Sequence, residues 1–241
     1  MMITKNNLVF LDNPKCATTV LRYYYRQLRK KDRVIYISPG GFRGDFADPR
    51  YQHVNLEGAV RYIEQIGGKV KDFTFFASIR NPYHRMRSWY IHGLNRGFVP
   101  GFSPPRKHNG RYLPRTDYAM WTFLNQPGIL PAFGAHQFRT FRNHRVQNLI
   151  KTESFAEDLK YLSKQYDIGF PLGVKIPHSA RNRSTHKTGY PVPLYDKRSV
   201  DRINSFFELD FHDGGYVYQT AEELNEEILS KLSEEDKKNT I

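Results

Sequence analysis

The chain has 241 residues, with 37 Lys and Arg against 24 Asp and Glu, for a formal net charge of +13. Its residues are 39% hydrophobic and 15% aromatic, which excludes a disordered chain poor in core-forming side chains. No apolar run reaches the roughly 18 residues of a membrane span, and a single cysteine, Cys16, excludes an internal disulfide scaffold. The N-terminus offers only a short apolar run at Leu8–Leu11, which is not a secretory leader. A reducing, cytoplasmic setting is the expectation. The excess positive charge admits nucleic acid, an anionic surface or a small polyanion as partner.

Leu8–Leu11 reads as a short buried strand, and Thr18–Lys30 as a helix whose basic C-terminal cluster suits its dipole. A β-branched strand is expected at 33–37 and a break at Pro39-Gly40-Gly41. A helix follows at 56–66, stopped by Gly67-Gly68. The strongest strand pattern lies at 73–79, and Pro82 opens the next helix. Residues 97–115, with Pro100, Pro104, Pro105 and Pro114, read as a long loop of the length that often covers a site. Helices are expected at 117–124, 155–166 and 199–208, with a short strand at 147–151. Residues 218–241 carry seven acids and three bases, and read as an acidic surface helix with Leu224, Ile228 and Leu232 at helical spacing. Strands alternating with helices predict an α/β fold with a central, mainly parallel sheet flanked by helices.

Two segments carry chemistry. Asn13-Pro14-Lys15-Cys16-Ala17-Thr18-Thr19 joins the first strand of this reading to the first helix. In a parallel sheet that is the ligand-binding edge, and the N–H groups of a helix N-terminus there suit a phosphate or sulfate. Lys15 adds a point charge, and Thr18 and Thr19 add hydroxyls. The segment is not a Walker loop, because it has no glycine and its Lys precedes the Thr pair. The second segment, Arg80-Asn81-Pro82-Tyr83-His84-Arg85-Met86-Arg87-Ser88-Trp89-Tyr90, again links a strand to a helix. Arg80 supplies a planar fork for a phosphate, and Ser88 a hydroxyl about two turns on.

Together these segments resemble the sulfotransferases that use 3′-phosphoadenosine 5′-phosphosulfate (PAPS), most closely the carbohydrate O-sulfotransferase branch. That family carries Pro-Lys-x-x-x-Thr after one strand and Arg-x-Pro-x-x-Arg-x-x-Ser-x-Tyr after another. Pro14, Lys15 and the Thr18-Thr19 pair match the first; Arg80, Pro82, Arg85, Ser88 and Tyr90 match the second. Family members commonly carry Thr-Gly or Ser-Gly where this chain has Cys16-Ala17. The match is good over 8–19 and 73–90 and loose beyond, through 182–190 and Gly215-Tyr216.

The resemblance implies a single P-loop-NTPase-like domain over 1–217 with the acidic helix at 218–241 appended. It implies PAPS as co-substrate, with no metal. Lys15 would stabilise the leaving oxygen, and Thr18 and Thr19, with the backbone N–H groups of Cys16, Ala17, Thr18 and Thr19, would hold the 5′-phosphate. Arg80 and Ser88 would hold the 3′-phosphate, and Lys187 and Tyr190 would close over the nucleotide from a late loop. His53 is the expected general base, having an ordinary pKa of about 6.5 suited to neutral pH. Glu57 and Asp45 are alternatives, and His84 reads as a surface residue. Cys16 beside a helix N-terminus is a candidate reactive thiol, though a small packing residue is the simpler reading.

The acceptor is open among glycans, lipids, small molecules and protein tyrosine, with a hydroxyl or amine as the sulfuryl target. The acid-free stretch at 80–115, with eight Lys and Arg, suits an acidic glycan or is a solvated face. Two other classes compete: a nucleic-acid-binding module using the basic surface, and a nucleotide-dependent kinase of related topology.

Overall fold

The computed structural model describes residues 1–11, 13, 15–31, 34–37, 56–96, 107–108, 111–112, 124, 146–170 and 194–231. In chain order its elements are β1 (Met2–Thr4), β2 (Leu8–Leu11), α1 (Thr18–Lys30), β3 (Val34–Ile37), α2 (Leu56–Gln65), a 3-10 turn (Val70–Asp72), β4 (Thr74–Ile79) and α3 (Pro82–Arg96). Then come β5 (Lys107–His108), β6 (Arg111–Tyr112), β7 (Val146–Lys151), α4 (Phe155–Gln165), α5 (Lys197–Phe206), α6 (Glu208–Gly214) and α7 (Ala221–Ser230). They fall into two compact units: Met1–Arg80 with Gln137–Asn182, and Asn81–His136 with Arg183–Ile241. The fold is α/β, with a mixed sheet flanked by helices.

The first unit is built on a sheet of order β3-β1-β2-β4-β7. β2 pairs parallel with β4, and β4 with β7, as expected of a mainly parallel sheet. The other two ladders are antiparallel, because β1 runs against both β2 and β3. The expectation of a mainly parallel sheet is thus corrected to a mixed one. The cause is a tight turn at Lys5-Asn6-Asn7, where Asn7 takes a left-handed φ of 57° and its N–H reaches the Thr4 carbonyl at 3.1 Å. Asparagine adopts that conformation more readily than most residues. β1 is only three residues long, too short for a periodic signal in the sequence.

Strands β2 and β4 are buried along almost their whole length, which is why Leu8-Val9-Phe10-Leu11 and Thr74-Phe75-Phe76-Ala77-Ser78-Ile79 read as continuous runs and not as alternation. One face stacks Phe10 on Phe76, ring centroids 4.6 Å apart, under Leu21, Tyr25 and Leu28 of α1 and Leu159 and Leu162 of α4. Near β2, α2 buries Leu56, Ala59 and Ile63. It stops as expected: Gly67 is left-handed at φ 77°, and the Gly68 N–H closes on the Ile63 carbonyl at 2.9 Å.

The second unit packs α3, α5, α6 and α7 around Tyr83, Met86, Tyr90, Ile203, Phe207, Phe211, Leu224 and Ile228. Tyr83 is its polar hub: its carbonyl accepts from Tyr195 Oη at 2.6 Å, its hydroxyl donates to Asn204, and Gln219 N–H donates to that hydroxyl at 3.2 Å. Helix α7 opens with a reciprocal capping box between Thr220 and Glu223. It buries Ala221, Leu224 and Ile228 in this core. Within the expected long loop, β5 and β6 form a two-residue ladder flanking Asn109-Gly110, a hairpin signal that was there to be read. Of the helix expected at 117–124 only Leu124 is described. No described helix is long and apolar enough to cross a membrane.

If α7 is a core element, Leu224→Ala lowers unfolding stability by about 2–5 kcal/mol. Glu226→Ala on the exposed side of the same helix changes it by no more than about 0.5 kcal/mol. Denaturant unfolding measures both, and equal small effects would mean that the helix packs on nothing.

Candidate functional site

The parallel register of β2 and β4 (Leu8 opposite Thr74, Leu11 opposite Ala77) brings their carboxyl ends to one edge of the sheet in the first unit. Asn13 ties the two ends together. Its backbone N–H donates to Ser78 Oγ at 3.3 Å and its side-chain Nδ2 to the Ser78 carbonyl at 2.8 Å. Its own carbonyl accepts from Cys16 N–H at 3.2 Å and from Thr18 Oγ1 at 2.8 Å. Asn13 and Ser78 are both buried. The sequence reading gave neither a role, although an Asn before Pro is a common turn former.

This tie closes a turn of unusual backbone. Lys15 and Ala17 are left-handed, at φ 66° and 55°, on either side of Cys16, which is not. A non-glycine residue pays about 1–2 kcal/mol for that conformation. Alternating hands are the backbone pattern of anion-cradling turns, but the Cys16 N–H in the middle of this one is already spent on the Asn13 carbonyl. Helix α1 starts immediately: the Ala17 carbonyl accepts from Val20 N–H at 2.9 Å and Leu21 N–H at 3.0 Å. The N–H groups of the first helical turn have no acceptor inside the helix. The N–H donors beside this turn are therefore those of the helix N-terminus at Thr18–Thr19.

The second segment meets the first through one contact. Arg80, the residue after β4, donates from Nη1 to the Lys15 carbonyl at 3.2 Å. The carbonyl of Ile79, just before Arg80, accepts from both Thr152 N–H and Thr152 Oγ1 at 2.9 Å, which anchors the end of β4 to the end of β7. Arg80 thus projects from a backbone held on both sides.

Other expected site residues fall as follows. Thr18 spends its hydroxyl proton on Asn13, so of the two hydroxyls Thr19 is the one suited to donate to a ligand. Cys16 is fully buried, in keeping with a packing role. Glu57 is exposed on α2 and paired with Arg61 one turn on. Ser88 and Arg85 are buried on α3 in the second unit. There Asn81 caps the helix, its Oδ1 accepting from Tyr83 N–H at 3.0 Å ahead of Pro82 at the first helical position. His84 lies 3.1 Å from Glu227 of α7, whose carboxyl is also bonded to Lys231. Burial opposes ionisation of Glu227, and the Lys231 and His84 contacts outweigh it, holding the carboxyl below its ordinary pKa. His84 is thus a half-buried, paired residue of the second unit and not the surface residue expected. His53, Asp45, Lys187 and Tyr190 lie outside the described residues. Among the described residues no group of three or more His, Cys, Asp or Glu could hold a metal ion.

The chain matches no protein-family model, no curated protein and no solved structure.

The turn's backbone is testable without a ligand. Ala17→Gly relieves the left-handed strain and raises stability by up to about 1 kcal/mol, a Tm gain of about 2–4 °C. Ala17→Val places a branched side chain there and lowers stability by at least about 1–2 kcal/mol. Thermal unfolding of the two variants should move in opposite directions; parallel changes would contradict the assigned conformation.

Proposed function

We propose that the chain is a PAPS-dependent sulfotransferase of P-loop-NTPase-like fold, acting in the cytoplasm on a hydroxyl or amine of a carbohydrate or small molecule. The observation that carries this reading is the hydrogen bond from Arg80 Nη1 to the Lys15 carbonyl. It joins the two segments whose sequences resemble the family's two phosphate-binding motifs, 65 residues apart in the chain. The helix N-terminus that follows the turn at Lys15 and Ala17 supports it further, because a donor with a 5′-phosphosulfate needs N–H groups at that position.

In this reading the acceptor oxygen attacks sulfur as the bond from sulfur to the 5′-phosphate oxygen breaks. The electron pair leaves with 3′-phosphoadenosine 5′-phosphate (PAP), and the acceptor proton passes to a base. His53, Glu57 and Asp45 remain the candidates for that base. Charge grows on the bridging oxygen during the step, so a cation and fixed N–H dipoles beside it lower the barrier. Lys15 supplies the cation, and Thr19 with the first turn of α1 supplies the donors. Arg80 faces the charge of the nucleotide's 3′-phosphate; the roles of Ser88, Lys187 and Tyr190 rest on the resemblance alone.

PAP should raise the Tm of the protein, and Arg80→Ala should weaken PAP binding about 10–100-fold, the worth of a hydrogen bond to a charged group. Lys15→Ala should cut transfer from labelled PAPS by about 100–1000-fold. Absence of any PAP stabilisation would sink the proposal, and stronger stabilisation by ATP with Mg²⁺ would favour the kinase reading.

A further inference from the structure

The ladder between β2 and β4 runs from Leu8 opposite Thr74 to Leu11 opposite Ala77. Asn13 carries that link one step further. Its Nδ2 donates to the Ser78 carbonyl at 2.8 Å and its N–H to Ser78 Oγ at 3.3 Å. Its carbonyl accepts from Cys16 N–H and Thr18 Oγ1, which close the turn that carries Lys15. One residue is therefore bonded both to the turn of Lys15 and to the strand end that Arg80 follows two positions later.

Of these four bonds only the one from Nδ2 belongs to the Asn13 side chain; the other three use its backbone. A substitution at this position loosens the turn from β4 and keeps the bonds that shape the turn itself. From the β7 side, Thr152 N–H and Oγ1 both hold the Ile79 carbonyl at 2.9 Å. Arg80 thus starts from a backbone whose place relative to Lys15 is set by Asn13 on one side and Thr152 on the other. Ser78 is buried, so its carbonyl, once deprived of Nδ2, favours shifted arrangements of the strand end that find another donor.

We propose that Asn13 is a positioning residue for the donor nucleotide: it fixes the separation of Lys15 from Arg80, and with it the spacing at which the protein meets a ligand phosphorylated at both 3′ and 5′ positions. The ribose holds those two phosphates within a narrow range of separation. Two contacts set to that range in advance need no ordering when the ligand arrives. When the turn drifts against β4, a ligand seated at one contact has to draw the other into place, and affinity falls. The role rests on the sulfotransferase reading and is independent of the acceptor.

The test is a double-mutant cycle on the full chain, with PAP as the ligand and its Kd read by isothermal titration at a temperature where circular dichroism shows every variant folded. Asn13→Ala should weaken PAP about 5–10-fold, within the about 10–100-fold expected for removing Arg80 itself. In an Arg80→Ala background the same substitution should cost less than about twofold, because the group it positions is gone. Ser78→Ala, which removes only the hydroxyl that accepts the Asn13 N–H, is the milder probe of the same link if Asn13→Ala does not fold. It should weaken PAP about 3–5-fold, again only where Arg80 is present. Equal losses with and without Arg80 would mean that Asn13 supports the fold alone, and would overturn the positioning role. An unchanged PAP affinity in both variants, with Arg80→Ala still weakening it, would overturn that role and leave the sulfotransferase reading standing. No PAP binding by the unsubstituted chain would remove both.

Discussion

The first unit turns on one asparagine. Asn13 makes four hydrogen bonds that together fasten the end of β2 to Ser78 near the end of β4 and close the following turn. Two left-handed non-glycine residues in three positions would not persist in an isolated peptide, because each is disfavoured by more than thermal energy. They persist here because buried hydrogen bonds over-determine the backbone around them. Removing the Asn13 carboxamide would leave the Ser78 carbonyl buried without that donor, a loss larger than the net worth of the bond itself.

Arg80 depends on the same device from the other side. Ser78 is held by Asn13 and the Ile79 carbonyl by Thr152, so the residue that follows leaves a fixed backbone. Its guanidinium reaches the Lys15 carbonyl from that backbone. The second unit uses a comparable economy around Tyr83. There one side chain and its carbonyl join α3, α5 and the segment entering α7. Both units thus fix their loops with a few buried polar groups set among apolar neighbours, where such bonds are strongest.

The elements most legible in the sequence were those whose signal is local. Thr18–Lys30 shows its apolar stripe and basic end, Gly67-Gly68 marks the stop of α2, and Pro82 marks the start of α3. What the sequence hid is tertiary. Met2–Thr4 is too short for periodicity, and only pairing with β2 and β3 makes it a strand. Helix α6, seven residues after a one-residue break at Phe207, merges with α5 in any periodic reading. At the site, Lys15 and Arg80 were legible because charged residues at strand ends stand out. Asn13 and Ser78 were not, because a buried hydrogen-bonding residue has the composition of an ordinary turn until its partner across 65 residues is known.

A glycine-rich loop and this turn reach left-handed backbone by different routes. Glycine reaches the left-handed region at no steric cost but leaves the chain many conformations to lose when it is fixed. Here Lys15 and Ala17 accept the steric cost, and Asn13, Cys16 and Thr18 hold the turn by hydrogen bonds within the protein. The ordering entropy of the turn is then met on folding. Alanine is the smallest side chain that restricts the backbone while still allowing close approach at position 17. The burial of Cys16 between the two left-handed residues pins the middle of the turn into the core. The turn is thereby held rigid by contacts within the protein alone.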